Sequence, residues 1–151
     1  MALSEITGMW YRRLRACSGP LAIGVSIAGT GCLDLSGSCG NVIVRELASS
    51  GDGHRAVVFA RNCGATTGFS THVSVLAAGA VLPDSSGNVF IADTNHGNAP
   101  AEPGGGPQVD IRWVASDTLE VRYDGRARVF AREAQHAGVA VRYVVDSSRA
   151  Q

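Results

Sequence analysis

The chain has 151 residues, a formal net charge of zero and 45% hydrophobic residues, which is enough for one domain with its own hydrophobic core. These values exclude a disordered or fibrous chain, and they give no strong positive field for binding nucleic acid. All 13 basic residues are arginine, but they are scattered along the chain, and we attribute this to codon bias rather than to phosphate recognition.

Residues 1–38 differ in composition from the rest of the chain and have the pattern of an export signal. A basic cluster, Tyr11–Arg15, precedes an uncharged stretch, Ala16–Gly31, which ends in small residues directly before Cys32. This order is typical of a secretory signal, and the stretch is too short and too rich in glycine for a membrane-spanning helix. Cys32 stands where a lipoprotein signal carries its acylated cysteine, although Gly29 replaces the usual bulky residue of that motif. We therefore predict an exported domain that is anchored in a membrane through a lipid on Cys32.

Two alternatives stay open for this segment. Translation that starts at Met9 would give a shorter leader with a more compact basic head. The other alternative is an N-terminal helix that packs on a cytoplasmic domain.

From residue 41 onward the apolar residues alternate with a period of two, which is typical of β-strands. The stretches Asn41–Leu47 and Arg55–Arg61 flank a turn at Ser49–Gly53, and this order predicts a β-hairpin. Two further strands are predicted at Ser70–Leu76 and Val89–Ala92.

The second half of the chain begins with a long loop. Residues Asn95–Gln108 are rich in Gly and Pro and have no periodicity, which predicts the longest loop of the chain. Clean alternation then returns in Val109–Trp113, Leu119–Tyr123 and Val139–Tyr143, and it predicts that Trp113 is buried.

Asp124-Gly125 is the strongest signal for a two-residue hairpin in the chain, and it predicts that the strand before it pairs with Arg126–Arg132. Residues 39–145 are thus expected to form an all-β fold, a single antiparallel β domain built as a sandwich or strongly curved sheet of about eight strands. Residues 146–151 are expected to be a frayed tail.

The cysteines indicate the compartment. Once the leader is removed and Cys32 is acylated, Cys39 and Cys63 remain as a pair, which suggests a disulfide in an exported protein. The hairpin Asn41–Arg61 would bring them together. The alternative is a nucleophilic Cys63 with His72 as its base, but no third, orienting group is evident. Because no Cys or His pair has zinc-ligand spacing, we predict no metal and no cofactor.

Two polar segments are candidates for a binding face. The segment Cys63–Thr71 combines two glycines with four hydroxyls, which could bind a ligand or simply satisfy the backbone of a turn. The segment Asp93–Gly97 begins like a calcium loop, but Gly104 stands where the loop needs Glu, so an Asx-capped turn is the alternative. The candidate binding residues are Thr66, Thr67, Ser70, Thr71, Asp93, Asn95 and His96.

Several strings in the chain together resemble the signature of a family of small uncharacterised bacterial proteins, many of them lipoprotein-like. The strings are Cys39-Gly40-Asn41, the C-G-A-T-T-G-F-S-T run Cys63–Thr71, Gly87–Asp93, Val109–Trp113 and Ala127–Phe130. The resemblance implies a β-rich domain, and it supplies no activity. The chain departs from the family in having Gly51 where family turns often have Pro, and in the residues around Cys32.

The sequence therefore predicts an extracytoplasmic binding or structural module without catalytic residues, which binds a partner or ligand through the loop face around Thr66–Thr71 and Asp93–Pro107. One alternative is a cytoplasmic protein of mobile-element type with a structured N-terminal helix. The other is a small hydrolase that uses His72 or His96 with Asp93 as its acid–base pair.

Overall fold

The computed structural model describes residues 39–51, 53–64 and 67–147, and within these ranges the chain is all β, with nine strands and no helix. The predicted leader, with Met9 and Cys32, lies outside the described residues, as do Thr66 and residues 148–151. No segment of the described ranges forms a helix long and apolar enough to cross a membrane. The strands are β1 (Gly40–Ala48), β2 (His54–Asn62), β3 (Ser70–Ala77), β4 (Phe90–Asp93), β5 (Val109–Ala115), β6 (Thr118–Asp124), β7 (Arg128–Arg132), β8 (Gln135–His136) and β9 (Val139–Asp146).

The first sheet has five strands in the order β1-β2-β3-β4-β7, and every neighbouring pair is antiparallel. Strands β1 and β2 form the predicted hairpin, in which Gly40 lies opposite Asn62 and Ala48 lies opposite Arg55. A β-bulge between Ile43 and Arg45 interrupts the pairing of β1.

The second sheet has four strands in the order β5-β6-β9-β8, and its central pair, β6 and β9, is parallel. This pair departs from the predicted antiparallel arrangement. The parallel pair arises from the path of the chain. After β6 the chain crosses to the first sheet, where it forms β7, and it then returns to the second sheet, where β9 runs beside β6 in the same direction.

The prediction that β6 and β7 form a hairpin through Asp124-Gly125 is wrong, because the two strands belong to different sheets. The turn itself forms: the Asp124 carboxylate accepts the Arg126 N–H at 2.8 Å, and the Asp124 carbonyl accepts the Ala127 N–H at 3.0 Å. However, β5 and β9 already occupy both edges of β6, so the strand after the turn has no free edge there and pairs with β4 instead.

The hydrophobic core lies between the two sheets. Phe90 of β4 packs on Tyr123 of β6, with ring centroids 4.9 Å apart. Trp113 points towards the core as predicted, but it is only half-buried because β5 is an edge strand. The indole N–H of Trp113 donates to the Leu47 carbonyl at 2.9 Å. Strand β9 reaches Asp146, which lies opposite Asp124, so residue 146 belongs to the strand and not to the predicted tail.

Residues 78–88, here called the strap, cross the outer face of the first sheet. The Asn41 amide donates to the carbonyls of Pro83 and Ser85, both at 3.0 Å. The Asn88 side chain accepts the Val75 N–H at 2.9 Å. Because Val58 and Val73 belong to the core, their neighbours Phe59 and His72 point to the opposite face, where the strap buries them.

Candidate functional site

A disulfide joins Cys39 to Cys63, with Cα atoms 3.9 Å apart. The two cysteines lie directly beyond the terminal pair of the β1–β2 hairpin, Gly40 and Asn62. The predicted disulfide is confirmed, and Cys63 is therefore not a free thiol nucleophile.

The two polar segments singled out in the sequence meet at one end of the first sheet. Ser70, at the start of β3, lies directly opposite Asp93, at the end of β4. Thr67 is exposed, and its hydroxyl donates to the Gly64 carbonyl at 3.3 Å. The segments are thus brought together, although most of their polar groups bind one another or the backbone.

Thr71 is buried and serves the fold. Its hydroxyl donates to the Pro107 carbonyl at 2.7 Å, which holds the long loop down on β3. Gly106 makes this approach possible, since a Cβ there would lie 2.3 Å from the Thr71 Oγ1 and 2.7 Å from the Thr71 nitrogen.

Gly106→Ala should therefore lower the free energy of unfolding by about 1–3 kcal/mol, because the added methyl meets backbone as well as side-chain atoms. Gly68→Ala is the matched control, since nothing lies within 4 Å of a Cβ at that position. Urea unfolding of both variants measures the difference, and equal midpoints would contradict the close packing of the loop.

Asp93 is held by its own turn. Its carboxylate forms an ion pair with Arg128 and accepts the Asn95 N–H at 2.8 Å. Burial raises the pKa of Asp93, but the hydrogen bonds from Arg128 and Asn95 outweigh it and hold the pKa below its ordinary value. Asn95 and His96 both have a positive φ, 51° and 58°, and His96 is exposed. This segment is the Asx-capped turn.

His72 lies beneath the strap in a closed set of contacts. Its Nδ1 accepts the Gly87 N–H at 2.9 Å, its Nε2 lies 2.8 Å from the Ser70 Oγ, and its ring stacks on Phe59 at 5.2 Å between centroids. Burial, with the charge of Arg61, lowers the pKa of His72 from 6.5 to about 4.

These contacts assign the proton of the neutral imidazole. Because a backbone N–H donates to Nδ1 of His72, Nε2 must carry the proton and donate it to the Ser70 hydroxyl. Ser70 in turn donates to the Arg61 carbonyl at 3.4 Å. A general base must instead accept the proton of its nucleophile, so this serine and histidine have the wrong tautomer for hydrolysis.

An apolar pocket, here called the disulfide pocket, lies beside the disulfide, between the ends of β1 and β2 and the loops that carry Phe69 and Pro103. Its volume is about 230 Å³. It is lined by Gly40, Val42, Ala60, Asn62, Phe69, Pro103, Gly104 and Gly105. None of the candidate binding residues that the structure describes is among them. An exposed Phe69 within a threonine- and glycine-rich segment is a signal that could have found the lining residues.

A second, larger cavity lies on the opposite face of β1, between that strand and the strap, and is here called the outer groove. Its volume is about 690 Å³. It is lined by Asn41, Ile43, Glu46, Arg55 and residues 78–84. An ion pair between Arg55 and Glu46, 2.8 Å long, lies within it.

Comparisons with protein-family models, curated proteins and solved structures find no match to this chain. The resemblance to small bacterial lipoprotein-like proteins therefore stays a prediction. Across the part of the chain that the structure describes, no group of three or more His, Cys, Asp or Glu side chains is placed to hold a metal ion.

Proposed function

We propose that this chain is an exported, membrane-anchored binding module without enzymatic activity, and that the disulfide pocket is its binding surface. The observation that carries this proposal is the bond between Cys39 and Cys63, because structural disulfides persist in oxidising compartments and are rare in the cytosol. The order of basic, apolar and small residues before Cys32 supports the same compartment.

The chemistry of the pocket indicates what it binds. Val42, Phe69 and Pro103 give it apolar walls, and the disulfide fixes the ends of the two strands beside it. A small apolar group, such as an aliphatic side chain, fits these walls and this volume. The hydroxyls of Ser70 and Thr71 already have internal partners, so they do not supply polar recognition there.

The contacts of the candidate acid–base residues favour binding over hydrolysis. His72 carries its proton on the nitrogen that faces Ser70, and Asp93 is engaged by Arg128 and by its own turn. The cytoplasmic alternative is disfavoured by the disulfide.

Expression in a bacterial host should yield a mature chain that begins at Cys32 and carries the added mass of a lipid, recovered in the membrane fraction. Intact-mass analysis and thiol counting under denaturing, non-reducing conditions measure this, and neither Cys39 nor Cys63 should be free. Cys32→Ser is the control and should lose both the lipid mass and the membrane association. A full-length, unprocessed chain in the cytosol with both thiols free would contradict the proposal.

A further inference from the structure

Strand β1 is an edge strand with an unusually apolar surface. Among the described residues it pairs with β2 alone. Its first half exposes three consecutive apolar side chains, Val42 at 67%, Ile43 at 47% and Val44 at 40%. An open edge with apolar side chains is a template for pairing with another strand.

Two of the other edge strands in the described chain, β8 and β7, are protected. Strand β8 has only two residues, and in β7 the charged residues Arg128 and Arg132 flank Phe130. The second half of β1 is linked to β5 by an ion pair from Arg45 to Asp110 at 2.8 Å and by the hydrogen bond from the Trp113 indole to the Leu47 carbonyl. The run of three exposed apolar side chains lies in the open first half of the strand, residues 40–44.

Cavities flank this open half on both faces of the sheet. The disulfide pocket lies on the inner face beside Gly40 and Val42, and the outer groove lies on the other face beside Asn41 and Ile43. Side chains of a strand laid against β1 would point alternately to the two faces, and therefore towards the two cavities in turn.

We propose that the strand that occupies this edge is β1 of a second copy of the chain, paired antiparallel about a two-fold axis at Ile43. Ile43 then lies opposite the partner's Ile43 on the outer face, and Val42 lies opposite the partner's Val44 on the inner face. The strand's own run of Val, Ile and Val supplies an apolar side chain to each cavity. This inference does not depend on export.

The charges of β1 fit this register. Arg45 comes opposite the partner's Asn41 and Glu46 opposite the partner's Gly40, so no like charges meet. A register centred on Arg45 would set two arginines against each other. The bulge between Ile43 and Arg45 lies within the paired stretch and limits its regular hydrogen bonding, which makes the dimer weak and dependent on concentration.

Sedimentation velocity of the full chain over a concentration series tests the proposal. The wild type should pass from monomer to dimer, and Ile43→Lys should stay monomeric, because it places two ammonium groups at the two-fold axis. Ile43→Thr keeps the β-branched shape with less apolar surface and should raise the dissociation constant about tenfold. Phe130→Lys is the matched control at the opposite edge of the same sheet, where the exposed fraction is 58%, and it should dimerise like the wild type.

Amide hydrogen exchange of the wild type gives a readout that needs no substitution. Protection of residues 40–44 should rise with protein concentration, while protection of β7 should not. A wild-type chain that stays monomeric over the whole concentration series would overturn the proposal, and an extended segment of a different protein would then be the candidate partner for this edge. The proposal would also be overturned if the Ile43→Lys variant still dimerised or if the Phe130→Lys variant did not. Either result would show that the chains associate through another surface or through the N-terminal segment.

Discussion

Replacing both members of the disulfide, by Cys39→Ser with Cys63→Ser, should lower the free energy of unfolding by about 3.5 kcal/mol. The two cysteines are 24 residues apart, and the bond removes the entropy that this loop would gain in the unfolded chain. The loss should be accompanied by faster amide exchange at the start of β1, because Gly40 and Asn62 form the last pair of that hairpin.

Urea unfolding with and without a reductant measures this effect. Reductant should lower the unfolding midpoint of the wild type to that of the double variant, and it should leave the double variant unchanged. The double variant, rather than either single one, is the informative protein, because a single substitution leaves a free thiol beside the pocket. A difference below about 1 kcal/mol would show that the hairpin is closed without the bond.

The sequence was sufficient for features that depend on local pattern. Alternation placed β1 and β2 correctly, and the position of Cys39 and Cys63 just beyond the hairpin predicted their bond. Trp113 has its predicted orientation but not its predicted full burial. Its burial depends on β5 being an edge strand, which is a property of the whole sheet order and not of the strand's own residues.

The turn at Asp124 shows where local pattern fails. Its side chain and carbonyl make the hydrogen bonds expected of a tight turn, and these are the same whether the next strand returns beside β6 or crosses to the other sheet. The choice is made by β5, which directly precedes β6 in the chain, and by β9, which returns beside β6 after β7 and β8, so that both edges of β6 are occupied. No feature of residues 124–125 encodes that occupancy.

Among the described residues, none of the binding residues predicted from the sequence lines the disulfide pocket. Hydroxyl-rich composition marked Ser70 and Thr71 as ligand groups, whereas the structure directs them to His72 and to the Pro107 carbonyl. The pocket depends instead on apolar atoms of Phe69 and Pro103, which approach only after the long loop has folded over β3. Contacts between distant apolar loop residues leave no periodic trace in a sequence.

His72 should give the domain a marked loss of stability in mild acid. The pKa of His72 is lowered from 6.5 to about 4 in the folded chain, so the unfolded chain binds a proton at this residue over a pH range where the folded chain does not. The stability is thus complete above pH 6.5 and falls as the pH decreases towards 4, by roughly 3 kcal/mol in total from this residue. The structural reason is that a protonated Nδ1 can no longer accept the Gly87 N–H, and the charge would be buried beneath the strap near Arg61.

Urea unfolding of the wild type and of His72→Gln at a series of pH values between about 7 and 4 isolates this effect. Gln retains a donor and an acceptor but does not titrate, so the variant should be less stable than the wild type near neutral pH and should lose less stability on acidification. His96→Gln is the matched control at an exposed position and should keep the pH dependence of the wild type. Equal pH slopes for the wild type and His72→Gln would show that the imidazole takes up its proton without disturbing the strap.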